Sequence, residues 1–480
     1  MKSTIISFFI ILSFNSFAQK NNINIETNIY KIIDNNANFL FKNSSSNSVS
    51  IGIIKNGKVY TKHYGEIDKG KNNKANDNTL FEIASVTKVF TGTLMSKAVL
   101  EGKINLEDDI RKHIIGSYPN LEFNGTPIKI KDLVSFKSAL NKELPDNSEI
   151  RKNENDSTTF KLQKLDKNYS KQKFFEELKT VKLDTIPGYK FQYSNLSLEL
   201  SAHILENVYQ KSYEMLLFEN ILNPLNMNST KLKLSNNDVL ANGYNRNNIS
   251  TAFLYSNLWG SSGLLKSTMN DIIKLLSFEL DKKNKIVQET QRNIYKSDTS
   301  WNGYFWDGIE VVDNGKFCHK QGGSFGTQTL FAVYPEQDLG ICIIVNISAE
   351  NTYNALFNAV LGIADDLKAE NNTKRKTYGY KFTKDEVVFT YLHPKNLDGN
   401  LINSVSVAGS FNNWNAENKK YQMTKITKNR FEIKILKSEF EKGKLYSFKF
   451  VINKIGWTTS PKNAINIENG EDKNLTFKIE

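Results

Sequence analysis

The chain has 480 residues, 39% apolar and 24% charged, the balance of an ordinary soluble protein. Lysine and arginine outnumber aspartate and glutamate, 63 to 51, for a formal charge of +12. The lysines (Lys71, Lys74, Lys152, Lys161, Lys164) are scattered among asparagines rather than gathered in a stripe, which argues against nucleic acid as a partner.

Met1-Lys2 precedes an apolar run, Ile5 to Leu12, and Ser16-Phe17-Ala18 offers a small-x-small cleavage site. This is a signal-peptide pattern over residues 1–18, too short to anchor the chain. No later segment is apolar enough to span a bilayer, and no cysteine lies near the cut to carry a lipid. A mature protein that is periplasmic or secreted is expected. Ile25 to Phe41 has helical periodicity. Ser48–Ile54 and Lys58–Tyr64 read as two strands joined by the turn Asn56-Gly57. After a polar loop, Phe81, Ile83, Val89, Phe90, Leu94, Val99 and Leu100 carry an apolar pattern that Gly102 stops. Leu106 to Asp109 opens a short helical piece, and Asp132-Leu133-Val134 belongs to the next. Asn141 to Lys171, polar and rich in lysine and asparagine, reads as a long surface insertion. Phe174–Val181 and Leu196–Val208 read as helices, with Pro187-Gly188 a turn between them. Gly260 to Leu265 is a small-residue turn before a helix over Thr268–Leu280. Strands follow at Ile309–Val312, Phe317–Lys320, Thr329–Tyr334 and Gly340–Val345, then a helix over Tyr353–Leu367. Helices bracketing an antiparallel sheet predict an α+β domain. Residues 369–384 are polar and basic, with Lys374-Arg375-Lys376, and read as a linker. From residue 385 short strands alternate with turns, at Val387–Leu392, Val405–Gly409, Arg430–Lys434, Tyr446–Ile452 and Leu475–Ile479, which predicts an all-β sandwich to residue 480.

Ser85 and Lys88 stand three residues apart at the start of the apolar helix, so they share one face. A lysine there lowers the cost of removing the serine proton, as a neutral base or as a charge beside the alkoxide. The Ser85 amide lies near a helix N-terminus, where free N–H groups point outward. Ser170-Lys171-Gln172-Lys173 repeats the spacing in a polar run with no apolar helix behind it.

Residues from about Ser48 to Leu367 resemble the serine β-lactamase-like family, the group of class C β-lactamases, DD-peptidases and esterases. Thr79 to Lys88 is similar to its nucleophile block, Pro187 to Asn195 to its second block, Gly263 to Thr268 to its Gly-Leu-x-Ser-Thr helix start, and Lys320-Gln321-Gly322-Gly323 to its third block. The resemblance implies a β-lactamase-like antiparallel sheet flanked by helices over residues 19–368. It implies Ser85 as nucleophile and Lys88 as its activator. Tyr193 would be base or proton shuttle, its pKa lowered by Lys88, and Asn195 would orient Lys88 or a substrate amide. Lys320 would bind a substrate carboxylate or stabilise negative charge, and the amides of Ser85 and Gly323 would form the oxyanion hole. Tyr255-Ser256-Asn257 spells the same tripeptide as Tyr193 to Asn195 but lacks the Pro-Gly before it. Gln321 stands where a small hydroxyl residue is usual, so strong β-lactamase activity is not expected. His319 is read as a strand residue. Phe136 to Leu140 replaces the family's His-Thr-Ser-Gly-Leu. In the resembled fold the strands of Cys318 and Cys342, the two cysteines, flank Thr329–Tyr334 on opposite sides, so two free thiols are expected. No metal or cofactor is expected.

Val407 to Trp414, Tyr446 to Val451 and Trp457 resemble the glycogen-recognition module of the AMP-activated kinase β-subunit, an immunoglobulin-like sandwich. The resemblance implies an α-glucan partner, with Trp414 and Trp457 stacking on glucose rings and Lys449 binding a hydroxyl. The expected protein is a serine hydrolase, acting through an acyl-enzyme on an ester, amide or D-amino-acid peptide, with an appended carbohydrate-binding module. The alternative is a catalytically inactive glycan- or cell-wall-binding protein.

Overall fold

The computed structural model describes residues 28–140, 143–312, 315–371, 377–393, 402–427, 429–454, 456–461, 464–468 and 473–479. The expected signal peptide and Lys374-Arg375-Lys376 lie outside these residues. The chain divides into two compact units at Ile363/Ala364, inside the helix Thr352–Asn371.

The first unit is built on one antiparallel sheet. Among the described residues its strands are β1 (Ser48–Lys55), β2 (Lys58–Gly65), β3 (Ser300–Trp301), β4 (Gly308–Val312), β5 (Gly315–Gly323), β6 (Gln328–Tyr334) and β7 (Leu339–Val345), in the order β2-β1-β7-β6-β5-β4-β3. Asn56 and Gly57 both take positive φ, 51° and 73°, the geometry that lets a two-residue turn follow the twist of β1 and β2. β1 and β7 are buried on both faces, which is why they read as continuous apolar runs rather than alternating ones. On one face lies the helix Met269–Glu279. A β-carbon on Gly52 of β1 would come within 2.5 Å of the Met269 sulfur, so glycine lets the helix approach. On the other face Phe317 and His319 of β5 meet Phe357 of the helix Thr352–Asn371, and Tyr60 of β2 meets Tyr30 of a helix over 28–44.

The helix Thr87–Leu100 is buried on nearly every side from Thr87 to Ser96, so it shows no polar stripe. Cys318 and Cys342 are free and buried on strands separated by β6, as the expected strand order requires. Burial pushes both thiols well above their ordinary pKa.

The second unit consists of two antiparallel sheets among the described residues. One holds β8 (Tyr380–Phe382), β9 (Glu386–Leu392), β11 (Thr424–Thr427) and β12 (Arg430–Leu436). The other holds β10 (Val405–Gly409), β13 (Leu445–Ile452), β14 (Gly456–Trp457) and β15 (Leu475–Lys478). Their apolar sides share one core: Phe389 of β9 packs against Phe448 of β13 at 5.1 Å and Phe477 of β15 at 5.3 Å. Tyr380 joins that core, so the stretch read as linker to residue 384 already belongs to this unit, because its Tyr-x-Phe strand pairs with Glu386–Leu392.

Candidate active site

Phe81–Glu82 pairs with Lys266–Ser267 and delivers the chain to a tight turn. Ala84 sits at φ +44°, a conformation costly for a side chain with a β-carbon, and Ala84–Val86 form a 3₁₀ turn before the helix Thr87–Leu100. The N-cap residues, Ile83 and Val86, offer no side-chain cap to the first amides of the turn or the helix. The third-block strand presses directly on this turn: a β-carbon on Gly322 would lie 2.2 Å from the Ile83 carbonyl oxygen. That close approach is why glycine is needed there, and Ser85 and Gly323 line the same cleft.

Two donors converge on the Ser85 hydroxyl oxygen: the Tyr193 phenol at 2.8 Å and the Lys88 ammonium at 3.0 Å. Lys88 also donates to the Ser262 carbonyl. It is completely buried, and burial followed by the Lys320 charge holds its pKa well below the ordinary lysine value, with Asp307, Glu199 and Glu143 opposing. A lysine so placed is ready to be neutral and to accept the serine proton. Lys320 is likewise fully buried, ion-paired to Asp307 at 2.5 Å, and lies 5.0 Å from the Tyr193 ring and 5.1 Å from the Phe136 ring. Tyr193 stacks on Phe136 at 4.8 Å.

Four expectations change. Tyr193 has its pKa raised, not lowered, first by desolvation of the phenol at the cleft and then by the Asp307 carboxylate, which favours the protonated form that donates to Ser85. Asn195 turns to Glu143, donating at 3.0 Å, and the second partner of Lys88 is Ser262 instead. Lys320 is neutralised by Asp307, which also accepts the Gln321 amide at 2.7 Å, so it is not open to a substrate carboxylate. The stretch read as a surface insertion supplies the helix Thr158–Lys167 and, with Glu143, Arg151 and Asp166, a wall of the cleft. The polar residues were there to line a cavity, not only to meet bulk water.

The structure brings Tyr193 to Ser85, whereas the Tyr255 hydroxyl bonds Asn257 at 3.0 Å. His319 stacks on Phe317 and pairs with Glu310, while Lys320, its neighbour on β5, faces Tyr193. The Gln321 side chain turns to Gln328. Asp307, Glu199 and Ser262 escaped the sequence reading. Glu199 accepts the amides of Trp259 and Ser262 at 3.1 and 3.2 Å and so fixes the carbonyl that holds Lys88. No local pattern marks any of these three. His63 stands between Ser50 and Asp77, 2.9 Å from each, in the order of a Ser-His-Asp triad. Ser50 is fully buried in the sheet, so no substrate carbonyl reaches it.

In the second unit, Trp457 pairs with Val451 of β13, and Lys449 lies two residues earlier on the same face. Trp414, whose amide bonds Gly409 at 2.9 Å, places its ring 6.0 Å from that of Trp457. Trp457 is 47% exposed.

A buried lysine and a tyrosine converging on a serine at a strained helix start, beside an antiparallel sheet, define a serine acyl-transfer site. The chain belongs to the β-lactamase family, whose model matches residues 38–362. It is 30% identical over 315 residues to Protein flp of Staphylococcus aureus strain MRSA252, covering 63% of this chain and 60% of that protein. The match therefore spans about three fifths of the length of that relative. It is 25% identical over 360 residues to the D-alanyl-D-alanine-carboxypeptidase/endopeptidase AmpH of Escherichia coli K12, covering 70% of this chain and 89% of that protein. A crystal structure described as a β-lactamase/D-alanine carboxypeptidase from Yersinia pestis, complexed with citrate, shares the fold: TM-score 0.60, 22% identity, 71% of this chain and 98% of that one.

Proposed function

We propose that the protein is an exported serine hydrolase that cleaves an ester, an amide or a D-amino-acid peptide through an acyl-enzyme. The observation that carries this is the pair of donors on Ser85 Oγ, Tyr193 at 2.8 Å and Lys88 at 3.0 Å. With Lys88 neutral, Ser85 Oγ attacks the substrate carbonyl carbon as its proton passes to Lys88. The amides of Ser85 and Gly323 stabilise the oxyanion; one such donor is typically worth roughly 10²–10³ in turnover. Tyr193 gives its proton to the leaving group and regains one from the Lys88 ammonium. Water then attacks the Ser85 ester, giving up a proton by the same route, and releases the acid. The D-alanyl peptide chemistry named for the E. coli relative is one member of this substrate class. The Met1 to Ala18 pattern is the support for export. Purified protein is expected to be labelled by a fluorophosphonate at Ser85, and Ser85→Ala to abolish labelling with the fold intact. Equal labelling of both proteins would reject the assignment. Turnover of p-nitrophenyl esters, D-Ala-D-Ala peptides and nitrocefin then ranks the substrates.

We further propose that the second unit, with its first strand at Tyr380–Phe382, forms an immunoglobulin-like sandwich that binds a linear α-glucan. Trp414, Trp457 and Lys449 gathered on one outer side, with an exposed indole, support this reading. Such an open site buries little area and binds weakly. In glycogen-containing gels the wild type is expected to be retarded, and the Trp414→Ala, Trp457→Ala double variant to migrate freely with Ser85 labelling retained. Free migration of the wild type would leave the unit a spacer.

A further inference from the structure

We propose, resting on the acyl-transfer reading, that the catalytic cleft selects its acyl donor by charge, accepting substrates that carry an ammonium group and rejecting those that carry a carboxylate. The chain as a whole is +12, yet the cleft has the opposite sign. Glu143, Glu154, Asp156, Asp166, Glu199 and Glu350 line it, against Arg151 and Arg246, with no lysine among the described lining residues. The cleft holds about 830 Å³ and reaches from Ser85 to the helix Thr158–Lys167, room for an acyl group with a long side chain.

Two independent features give this sign a consequence. The first is Lys320. Lys320, the cation that faces Tyr193 beside Ser85, is sealed from solvent with Asp307 at 2.5 Å and so does not receive a substrate carboxylate, which leaves Arg246 as the cleft-lining cation without an ion pair among the described residues. The second is Asp166. Glu154 is paired with Arg151 at 3.1 Å, Asp156 accepts from Asn245 at 2.7 Å, and Glu143 accepts from Asn195 at 3.0 Å and Asn147 at 2.8 Å. Among the described residues no hydrogen bond or ion pair reaches the Asp166 carboxylate. Burial, then the Glu143 and Glu199 charges, push its pKa up to about 7, with Arg151 opposing. An ammonium group arriving with the substrate supplies the partner that the fold withholds.

Three p-nitrophenyl esters of one length test this on the full chain: 6-aminohexanoate, hexanoate and the adipate monoester. kcat/KM is expected to fall in that order, with roughly tenfold or more between the first and last, and the spread to shrink at high salt. Asp166→Asn is expected to collapse the preference for the ammonium ester over the neutral one. Asp166→Lys is expected to reverse the order of the charged pair. Equal rates for the three, or an unchanged order in Asp166→Lys, would overturn charge selection while leaving the acyl-enzyme chemistry standing. Failure of all three esters to acylate Ser85, read by mass spectrometry, would overturn both.

Discussion

At Ser85 the hydroxyl sits between two side-chain donors, Tyr193 at 2.8 Å and Lys88 at 3.0 Å. At Ser170 the hydroxyl accepts the Lys173 amide at 3.2 Å and caps the half-buried helix Lys171–Leu178. Both turns spell Ser-x-x-Lys. The lysines differ most: Lys88 is completely buried, while Lys173 reaches over the Tyr169 ring and toward Glu177 in solvent. Spacing puts the pair on one helical face in both cases. Desolvation, which penalises the ammonium, operates in only one of them. The lesson is that the motif supplies geometry and the surroundings supply reactivity.

The largest way to break this comparison is at the lysines. Lys88→Ala is expected to lower ester turnover by roughly 10²–10⁴-fold, the worth of a positioned base, whereas Lys173→Ala leaves turnover at the wild-type rate. A loss at Lys173 comparable to that at Lys88 would mean that burial is not what distinguishes them.

A smaller effect sharpens the electrostatic half. Activity rises with pH as Lys88 loses its proton, so the acid limb of kcat/KM marks the Lys88 pKa in the free protein. Lys320 pushes that pKa down more than Asp307 lifts it. Replacing both, Lys320→Met with Asp307→Asn, avoids leaving one buried charge unpaired. Lys88 then gains proton affinity, and the acid limb is expected to move to higher pH. A limb that stays in place, measured on a neutral ester, would show that Lys88 does not titrate in it.

The smallest effect belongs to Ser170. Ser170→Ala removes a helix cap worth roughly 1 kcal/mol, read as a lower denaturant midpoint, with fluorophosphonate labelling at Ser85 unchanged. The same substitution at Ser85 is expected to abolish labelling, so one change made at two sites separates a structural serine from a nucleophile.

Much of the site was legible because its members sit in short blocks with local signals. Ser85 and Lys88 open an apolar helix, and Tyr193 precedes another helix, Asn195–Tyr209, whose N-cap is Ser194. Asp307, Glu199 and Ser262 were not legible, because each acts on a partner far along the chain; the helical pattern around Glu199 gives its element but not its partner. The resemblance to the third block points to Lys320, and its strand follows from the sequence, but the carboxylate at its tip comes from Asp307 on another segment. The polar stretch of residues 141–171 looked like a solvated surface, since composition does not distinguish side chains facing bulk water from side chains facing a cleft.

By itself the sequence determined the hairpin at Asn56-Gly57 and the buried helix behind Ser85, because these depend on local backbone preference and on apolar periodicity, which neighbouring residues carry. The order of the sheet strands and the separation of the two cysteines followed only from the family resemblance, because strand pairing joins segments far apart in the chain. The tertiary structure alone decided the surroundings of the ionisable groups and the charge of the cleft. It buried Lys88 so that its pKa falls, raised that of Tyr193, gave Lys320 to Asp307, and left Asp166 open. A pKa is set by desolvation and by charges that the fold brings from distant segments, and those are properties of a packed environment that no stretch of chain contains.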